Sequence, residues 1–391
     1  MKLYINENEK AKSPSVAVDD MFLTKDMPTT AGSKMLDGYM SLFNAQVVDS
    51  LESAGYSISG KCNVGEFGID LIGETSYFDG EVKSAAAEVL ATTDAEAALC
   101  FDVNGAPRRA AALNDLVFVK PTYGTVSRFG TVSAVCSGET VGVMARDTAT
   151  AAKILGVVAG HDDKDGTSLC AADCEKVKAS GNATLKKIAV IKALTKDADT
   201  AKLDAAIKAL GANGVVVEEV DGDILTAAKE AWNVLMCAEL CNNVSRYDGI
   251  KYGYRTKNYK TIDELYVNSR TEAFGELLKT AILYGSDVLA GDNYENVYVK
   301  ALKVRRVICE YFASLFANYD AVIMPACAKA EYTAADVENN IALSFDEALY
   351  TAPASISGLP AVVAGGVQVV SKAFGEDILF TVAKILEKEG K

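Results

Sequence analysis

The stretch from Cys100 to Gly124 has the residue types and spacing of a catalytic corner in an α/β protein. The apolar run Ala97–Phe101 predicts a buried strand, Asp102–Arg109 predicts a tight turn, and Ala110–Leu113 predicts the start of a short helix. A strand-turn-helix corner of this kind often carries a nucleophile, with backbone N–H groups placed to hold an oxyanion. Here the turn holds Ala106, which has no nucleophilic atom. The sequence therefore predicts the frame of an active site that lacks its central atom.

The composition is that of a folded, acidic protein. Half of the 391 residues are hydrophobic, and the formal net charge is −14. A surface with this charge repels phosphate backbones, so we expect no direct nucleic-acid binding over a broad basic face. The chain opens with no signal-peptide pattern and has no apolar run of the ~20 residues that a membrane span needs. A cytoplasmic location without membrane contact is therefore the expectation.

The nine cysteines are predicted to be reduced thiols. Cys170 and Cys174, like Cys237 and Cys241, are four residues apart, which would place each pair on one face of a helix. A metal centre would need further ligands, and His161 is the only histidine in the chain. We expect small buried residues on helices at these positions, and no metal.

Strands and helices alternate along the chain, which predicts an α/β fold with one mainly buried sheet. Strand 188–191, helix 200–210 and strand 215–220 together predict a parallel pair with a right-handed crossover. From Glu295 to Phe316 apolar residues recur every three or four positions, as on a long amphipathic helix. These patterns place the catalytic corner on a sheet and not in an isolated loop.

Several longer motifs carry a resemblance to a known family. They are TTAGSKML (29–36), GKCNVGEF (60–67), KPTYGTVSRFG (120–130), AGHDDKDGTS (159–168), RYDGIKYGYR (246–255), KALKVRRVI (300–308) and SGLPA (357–361). In this order they closely resemble the amidase signature family, and within it the A subunits of the tRNA-dependent amidotransferases that convert Glu-tRNA(Gln) or Asp-tRNA(Asn). The resemblance covers nearly the whole chain, from about Val16 to the last helix.

The resemblance implies an amidase-signature fold, in which a large central mixed β-sheet is covered by helices on both faces. We expect residues 1–391 to form a single domain of this kind. The segment 1–15 is expected to be loosely held, and the polar segment 162–182 is expected to be a surface excursion. The resemblance implies no cofactor, and it implies B- and C-type amidotransferase subunits as partners.

Members of this family hydrolyse an amide with a Ser–cis-Ser–Lys triad, in which the Lys acts as base through the bridging Ser and the second Ser attacks the carbonyl. By the resemblance, the Lys position is Asp19 and the nucleophilic Ser position is Ala106. The glycine loop with the bridging cis-Ser is missing, because only Asp79–Lys83 lies between the segments that flank it in the family. The neighbouring Asp102 and Arg108 are retained.

The positions that hold glutamine in the A subunits have changed as well. The resemblance places them at Asn233, Ala281 and Ala348. Removing any member of a triad costs most of the rate, and the remainder depends on substrate binding and the oxyanion hole. We therefore expect no catalytic residue, no substrate-binding residue and no amidase activity of the family's kind in this chain.

Three functions are compatible with this pattern. The first is a catalytically inactive subunit or paralogue with a structural or regulatory role in a tRNA-dependent amidotransferase-type assembly in protein biosynthesis. The second is a functional subunit of the A type that supplies ammonia by glutamine hydrolysis. The third is an enzyme with relocated acid/base chemistry at a cluster of Asp19, Asp20, Asp102 and Arg108, since carboxylates brought close together shift each other's pKa. The simpler interpretation of those four residues is turn capping and a buried Asp–Arg pair.

Overall fold

A mixed β-sheet forms the centre of the computed structural model, which describes residues 2–389. Its strands are β1 Tyr4–Glu7, β2 Ser15–Asp19, β3 Ser57–Cys62, β4 Ala97–Asp102, β5 Val117–Lys120, β6 Thr140–Ala145, β7 Lys187–Ile191, β8 Val216–Val220, β9 Ala321–Pro325, β10 Ala361–Ala364 and β11 Val367–Ser371. Their order across the sheet is β1-β3-β2-β4-β6-β5-β10-β11-β9-β7-β8. Strand β4 pairs parallel with β2 and antiparallel with β6, which makes the sheet mixed at its centre.

Helices lie along both faces of this sheet. They are α1 Gln46–Ser53, α2 Ala85–Thr92, α3 Ala106–Leu113, α4 Thr148–Val158, α5 Ala171–Cys174, α6 Ala201–Ala212, α7 Ala227–Val244, α8 Ile262–Ala273, α9 Glu276–Val288, α10 Val299–Leu315, α11 Ala334–Asn339, α12 Leu343–Asp346, α13 Ala348–Ser357 and α14 Glu376–Glu389. A π-helical turn, Tyr294–Tyr298, leads into α10. None of the helices within residues 2–389 is both long and apolar enough to cross a bilayer.

The two faces of the sheet belong to two separate hydrophobic layers. In β2, Val16 and Val18 pack in one layer while Ala17, between them, packs in the other, as the alternation of side chains along a strand requires. The first layer includes the buried face of α1, and the second includes the buried faces of α2 and α3. The α/β fold with a large mixed sheet between helical layers, which the resemblance implied, is confirmed.

The longer elements agree closely with the sequence patterns. Strands β7 and β8 form the predicted parallel pair, with α6 between them. The predicted long helix is present as the π-helical turn followed by α10. The cysteines are free thiols. Cys237 and Cys241 lie on α7 as expected, whereas Cys170 is exposed and precedes the four-residue helix α5.

Two local features differ from the sequence expectations. The N-terminal segment contributes an ordered edge strand, because β1 pairs antiparallel with β3 and buries Ile5. Helix α3 begins at Ala106, four residues before the predicted start, because Pro107 fits the first turn of a helix, where no amide donor is needed. The segment 162–182 mixes exposed and partly buried residues, and it is anchored where the Arg128 amide donates to Asp165 at 2.8 Å.

Candidate functional site

The predicted catalytic corner lies at the carboxyl edge of β2 and β4. These strands are parallel neighbours, with Val18 beside Leu99, so both end at the same edge of the sheet. Asp19 is the last residue of β2, and Asp102 is the last residue of β4. The carboxyl edge of parallel strands is where α/β proteins commonly place ligand sites.

Gly105 shapes the turn between β4 and α3. It has a φ of +93°, in the left-handed region, and a Cβ added there would lie 2.4 Å from the Thr351 side chain. Its amide donates a 3.0 Å hydrogen bond to Asp102 Oδ1, which closes the turn. Glycine is therefore required for both conformation and space. Ala106 follows as the first residue of α3.

Arg108 connects this corner to α13 and β11. Its side chain is fully buried, with Nε 2.7 Å and Nη2 3.2 Å from the two Asp102 oxygens. Nη2 also donates to Ser355 Oγ at 2.6 Å. Nη1 donates to the Thr351 carbonyl at 2.7 Å and to Gln368 Oε1 at 3.0 Å. All five guanidinium N–H groups therefore have an acceptor, which a buried arginine requires.

A small cavity lies between the ends of β2 and β4 and the start of α3. Its volume is about 40 Å³, and its walls include Asp19, Ser84 and Ala106. The structure thus brings together the positions that the resemblance gives to the Lys, to the end of the missing loop and to the nucleophile. The segment Asp79–Lys83 leads directly to Ser84, whose hydroxyl accepts the Ala87 amide at 3.3 Å and caps α2.

Two buried carboxyl groups, those of Asp19 and Asp70, line this cavity. Asp19 Oδ2 accepts the Phe101 amide at 2.8 Å, and burial raises the pKa of Asp19 to about 7. Burial, reinforced by the charge of Glu74, also raises the pKa of Asp70 well above its usual range. The sequence analysis did not single out Asp70. In the sequence, Asp70 is marked only as the acidic residue that ends the segment GEFGID. The resemblance assigns no function to that position.

The four residues of the proposed cluster, Asp19, Asp20, Asp102 and Arg108, do not form one group, because they contact different partners. Asp20 forms a buried ion pair with Lys61, with Nζ and Oδ1 3.0 Å apart. Asp102 is paired with Arg108, which agrees with the simpler interpretation of a buried Asp–Arg pair. Of these four residues, only Asp19 lines the cavity, and its acidic neighbour there is Asp70.

The three glutamine-position residues lie on helices beside the sheet. Asn233 is in α7, Ala281 is in α9, and Ala348 begins α13. Asn233 Nδ2 donates to the Phe345 carbonyl at 3.1 Å, while its buried Oδ1 has no hydrogen-bond partner among the described residues. None of the three lines the 40 Å³ cavity. The structure therefore does not join them to Asp19 and Ala106 in one pocket.

The acidic, cysteine and histidine side chains of the described residues are dispersed over the fold. Within residues 2–389, no three of them are grouped closely enough to hold a metal ion. The exposed His161 interacts instead with Asp163, 2.9 Å from Nε2, and with the Leu169 carbonyl.

Comparisons with known proteins agree with the fold. The family described as Amidase matches residues 15–379. The A subunit of glutamyl-tRNA(Gln) amidotransferase from Latilactobacillus sakei is 34% identical over 402 residues, which cover 95% of this chain and 82% of that protein. The protein of the same name from Lachnoclostridium phytofermentans is 33% identical and covers 99% of this chain and 86% of its own length.

Solved structures of similar proteins share the fold of this chain. The crystal structure of the glutamyl-tRNA(Gln) amidotransferase A subunit from Thermotoga maritima superposes with a TM-score of 0.78 at 25% identity, over 98% of this chain and 87% of that one. A 6-aminohexanoate cyclic dimer hydrolase shares the fold with a TM-score of 0.79 at 19% identity, over 99% of this chain and 89% of that one. Since the family match spans nearly all of the sequence and curated relatives are a third identical along it, the chain belongs to the amidase family.

Proposed function

We propose that this chain is a non-hydrolysing amidase-family protein, and that it serves as a structural or regulatory component of a tRNA-dependent amidotransferase-type assembly. The observation that carries the proposal is the composition of the cavity at the carboxyl edge of β2 and β4. Asp19 and Ala106 meet there, so an acid and a methyl group occupy the positions that the resemblance gives to the base and the nucleophile.

Apart from the carboxyl groups of Asp19 and Asp70, the described residues of that cavity offer Cys100 and Ser84 as nucleophiles, and neither is activated. Burial raises the pKa of the Cys100 thiol well above its usual range, so the thiolate is disfavoured. The Ser84 hydroxyl oxygen is engaged at the N-terminus of α2, and no histidine or lysine among the described residues lines the cavity to activate it. Lys61 is committed to Asp20 and also donates to Thr29 Oγ1 at 2.8 Å.

The size of the cavity also argues against glutamine binding. A volume of about 40 Å³ holds roughly three water molecules, since one water needs about 10–15 Å³ of this kind of volume. An amino acid is several times larger, and small-molecule sites typically have about 300–1,000 Å³.

The assembly role is supported by retained, exposed motifs. The RYDGIKYGYR segment keeps the family pattern, and it presents Ile250 and Tyr252 with 39% and 61% of their surfaces exposed. A partner subunit at this segment would cover both side chains. The curated relatives are named as a component of glutamyl-tRNA(Gln) amidotransferase. We therefore propose B- and C-type subunits as partners.

A second candidate is a functional subunit of the A type that supplies ammonia by glutamine hydrolysis. The names of the relatives favour this function, because sequence identity of about one third extends over nearly the whole chain. It would require a base and a nucleophile other than Asp19 and Ala106, and a cavity that opens when the partners bind.

Relocated acid/base chemistry is the third candidate, and Asp19 with Asp70 is the pair that would perform it. Both are buried carboxyls of raised pKa in one cavity, a pattern found at functional sites. A hydrolase screen with Asp19→Ala, and with Asp102→Ala as the comparison, tests it. Unchanged turnover in Asp19→Ala removes this candidate.

The deciding experiment reconstitutes the chain with B- and C-type subunits and measures amidation of Glu-tRNA(Gln) with glutamine or with ammonium chloride as the nitrogen source. We expect activity with ammonium and none with glutamine. The matched control is the same assembly built with the A subunit from Latilactobacillus sakei. Glutamine-dependent product from the present chain would establish the second candidate, and failure to associate with either partner would refute the assembly role.

A further inference from the structure

A second, much larger cavity lies apart from the cavity at Asp19. It is bounded by the last turns of α10, the end of α13 and the turn between β11 and α14. Its volume is about 400 Å³, against about 40 Å³ for the cavity at Asp19. The two cavities share no lining residue. Its size alone places it within the range of about 300–1,000 Å³ that small-molecule sites occupy.

The lining of this cavity is mainly apolar. Phe312 and Phe316 stack with ring centroids 5.8 Å apart and form one wall. Ala313 and Leu359 extend the apolar surface. Cys309 adds a half-buried thiol, and burial raises its pKa, so it contributes as an uncharged group.

Lys372 is the one charged side chain among the described residues of this lining. It is exposed, and its ammonium group has no hydrogen bond or ion pair with any residue that the structure describes. The Ser357 hydroxyl donates at 2.6 Å to the Pro353 carbonyl, so it offers no free donor. The cavity thus combines a long apolar surface with a single cationic group at its edge.

We propose that this cavity binds a medium-chain monocarboxylate, with the hydrocarbon chain against the Phe312–Phe316 wall and the carboxylate at Lys372. An apolar chain gains free energy in proportion to the surface it removes from water, which favours a hydrocarbon in this lining. An ammonium donates charge-assisted hydrogen bonds to a carboxylate, and among the described residues of the lining there is no second cation to balance a doubly charged ligand. The proposal is independent of whether the family site hydrolyses amides.

The binding test uses decanoate as the probe and the purified full-length chain, with affinity measured by calorimetry. We expect saturable binding, with about tenfold weaker affinity in Lys372→Glu, since a charge-assisted contact is lost. Ala313→Trp, at an exposed helix position that lines the cavity, is expected to abolish binding by filling it. Lys208→Glu, an equal charge change on the exposed face of α6, is the matched control and should bind as the parent does.

Thiol labelling gives a second measurement inside the same molecule. Decanoate should slow the reaction of Cys309 with a maleimide and leave the exposed Cys136, which does not line the cavity, unchanged. Decanol, which has the chain without the carboxylate, should bind about tenfold more weakly than decanoate, since it also lacks the charge-assisted contact. The proposal is overturned if decanoate does not bind, if Lys372→Glu or decanol shows undiminished affinity, or if Cys309 is not protected.

Discussion

Asp19 and Asp102 end neighbouring parallel strands, yet their carboxyl groups have contrasting surroundings. Both Asp102 oxygens are bound by Arg108, and Oδ1 also accepts the Gly105 amide. Asp19 accepts one backbone amide and forms no ion pair with any residue that the structure describes. Burial consequently raises the pKa of Asp19 to about 7. One edge of one sheet therefore holds a fully paired carboxylate and a poorly compensated one.

The two carboxyl groups differ in how much of the fold depends on them. The paired group ties β4 to α13 and β11, so its loss would disturb three elements at once. The poorly compensated group faces a cavity of about 40 Å³, where the family resemblance expects a lysine. A position that holds several elements together tolerates little change, whereas a carboxyl group with one hydrogen bond at a cavity wall constrains the fold less.

The largest expected loss of stability is at the Asp102–Arg108 pair. Arg108→Met keeps the apolar part of the side chain but leaves the buried Asp102 carboxylate, the Thr351 carbonyl and Gln368 without their donors. Breaking a buried ion pair by removing one partner costs about 3–5 kcal/mol. We expect a loss of that size in the free energy of unfolding, measured in urea. A loss below about 1 kcal/mol, the usual range of a surface ion pair, would show that the corner does not hold the fold together.

At Asp19, by contrast, removing the charge is expected to raise the free energy of unfolding. The Asp19 carboxyl has a pKa of about 7 in the folded chain and of about 3.9 when unfolded. Between these values the folded state binds more protons, so the free energy of unfolding falls as the pH rises from about 4 to about 7 and stays low above that. In Asp19→Asn the amide oxygen can still accept the Phe101 amide, but the side chain cannot ionise. We expect Asp19→Asn to be about 2–4 kcal/mol more stable than the parent at about pH 8 and little changed at about pH 4.

Asp102→Asn is the matched control for that substitution, because it makes the same chemical change on the neighbouring strand. It removes the charge that faces Arg108, so it should destabilise the chain at about pH 8. Unfolding curves under the same acidic and alkaline conditions compare the two variants. Equal destabilisation by both would contradict the contrast between the two sites.

Gly105→Ala tests the backbone of the paired corner. Gly105 has a φ of +93°, and an added methyl group would lie 2.4 Å from Thr351. The left-handed conformation costs a non-glycine residue about 1–2 kcal/mol, and overpacking adds about 1–3 kcal/mol. We therefore expect a loss of about 2–5 kcal/mol in urea unfolding. Gly156→Ala provides the control, because it lies in α4 with no atom within 4 Å of an added Cβ and should be neutral or stabilising.

The sequence predicted the elements because each one depends on local signals. The apolar run of β4 and the three/four spacing of α10 indicate their structures without reference to the rest of the chain. The early start of α3 was missed because Pro107 was interpreted as part of a turn, although proline is also favoured in the first turn of a helix. The edge strand β1 was missed because its polar sequence gains order only by pairing with β3.

The sequence analysis named two residues of the cavity wall, Asp19 and Ala106, and did not name Asp70. Motif order located Asp19 and Ala106, and the parallel pairing of β2 with β4 brings them to one cavity. Asp70 was not foreseen, because its contribution depends on a tertiary contact that no spacing along the chain reveals. The ion pairs of Asp20 with Lys61 and of Asp102 with Arg108 also depend on tertiary contacts.

The smallest expected effect is that of restoring the nucleophile. Ala106→Ser adds one hydroxyl at the edge of the cavity, on the first residue of α3, where serine is tolerated, so the free energy of unfolding should change by less than about 1 kcal/mol. Among the described residues of the cavity wall, no lysine or histidine would activate the serine, and a cavity of about 40 Å³ does not hold glutamine. We expect no release of ammonia from glutamine, either by the variant alone or in the reconstituted assembly. Measurable release would mean that the corner at Asp102 still holds a competent oxyanion site and that only the hydroxyl was missing. The difference between Asp19 and Asp102 would then concern stability alone.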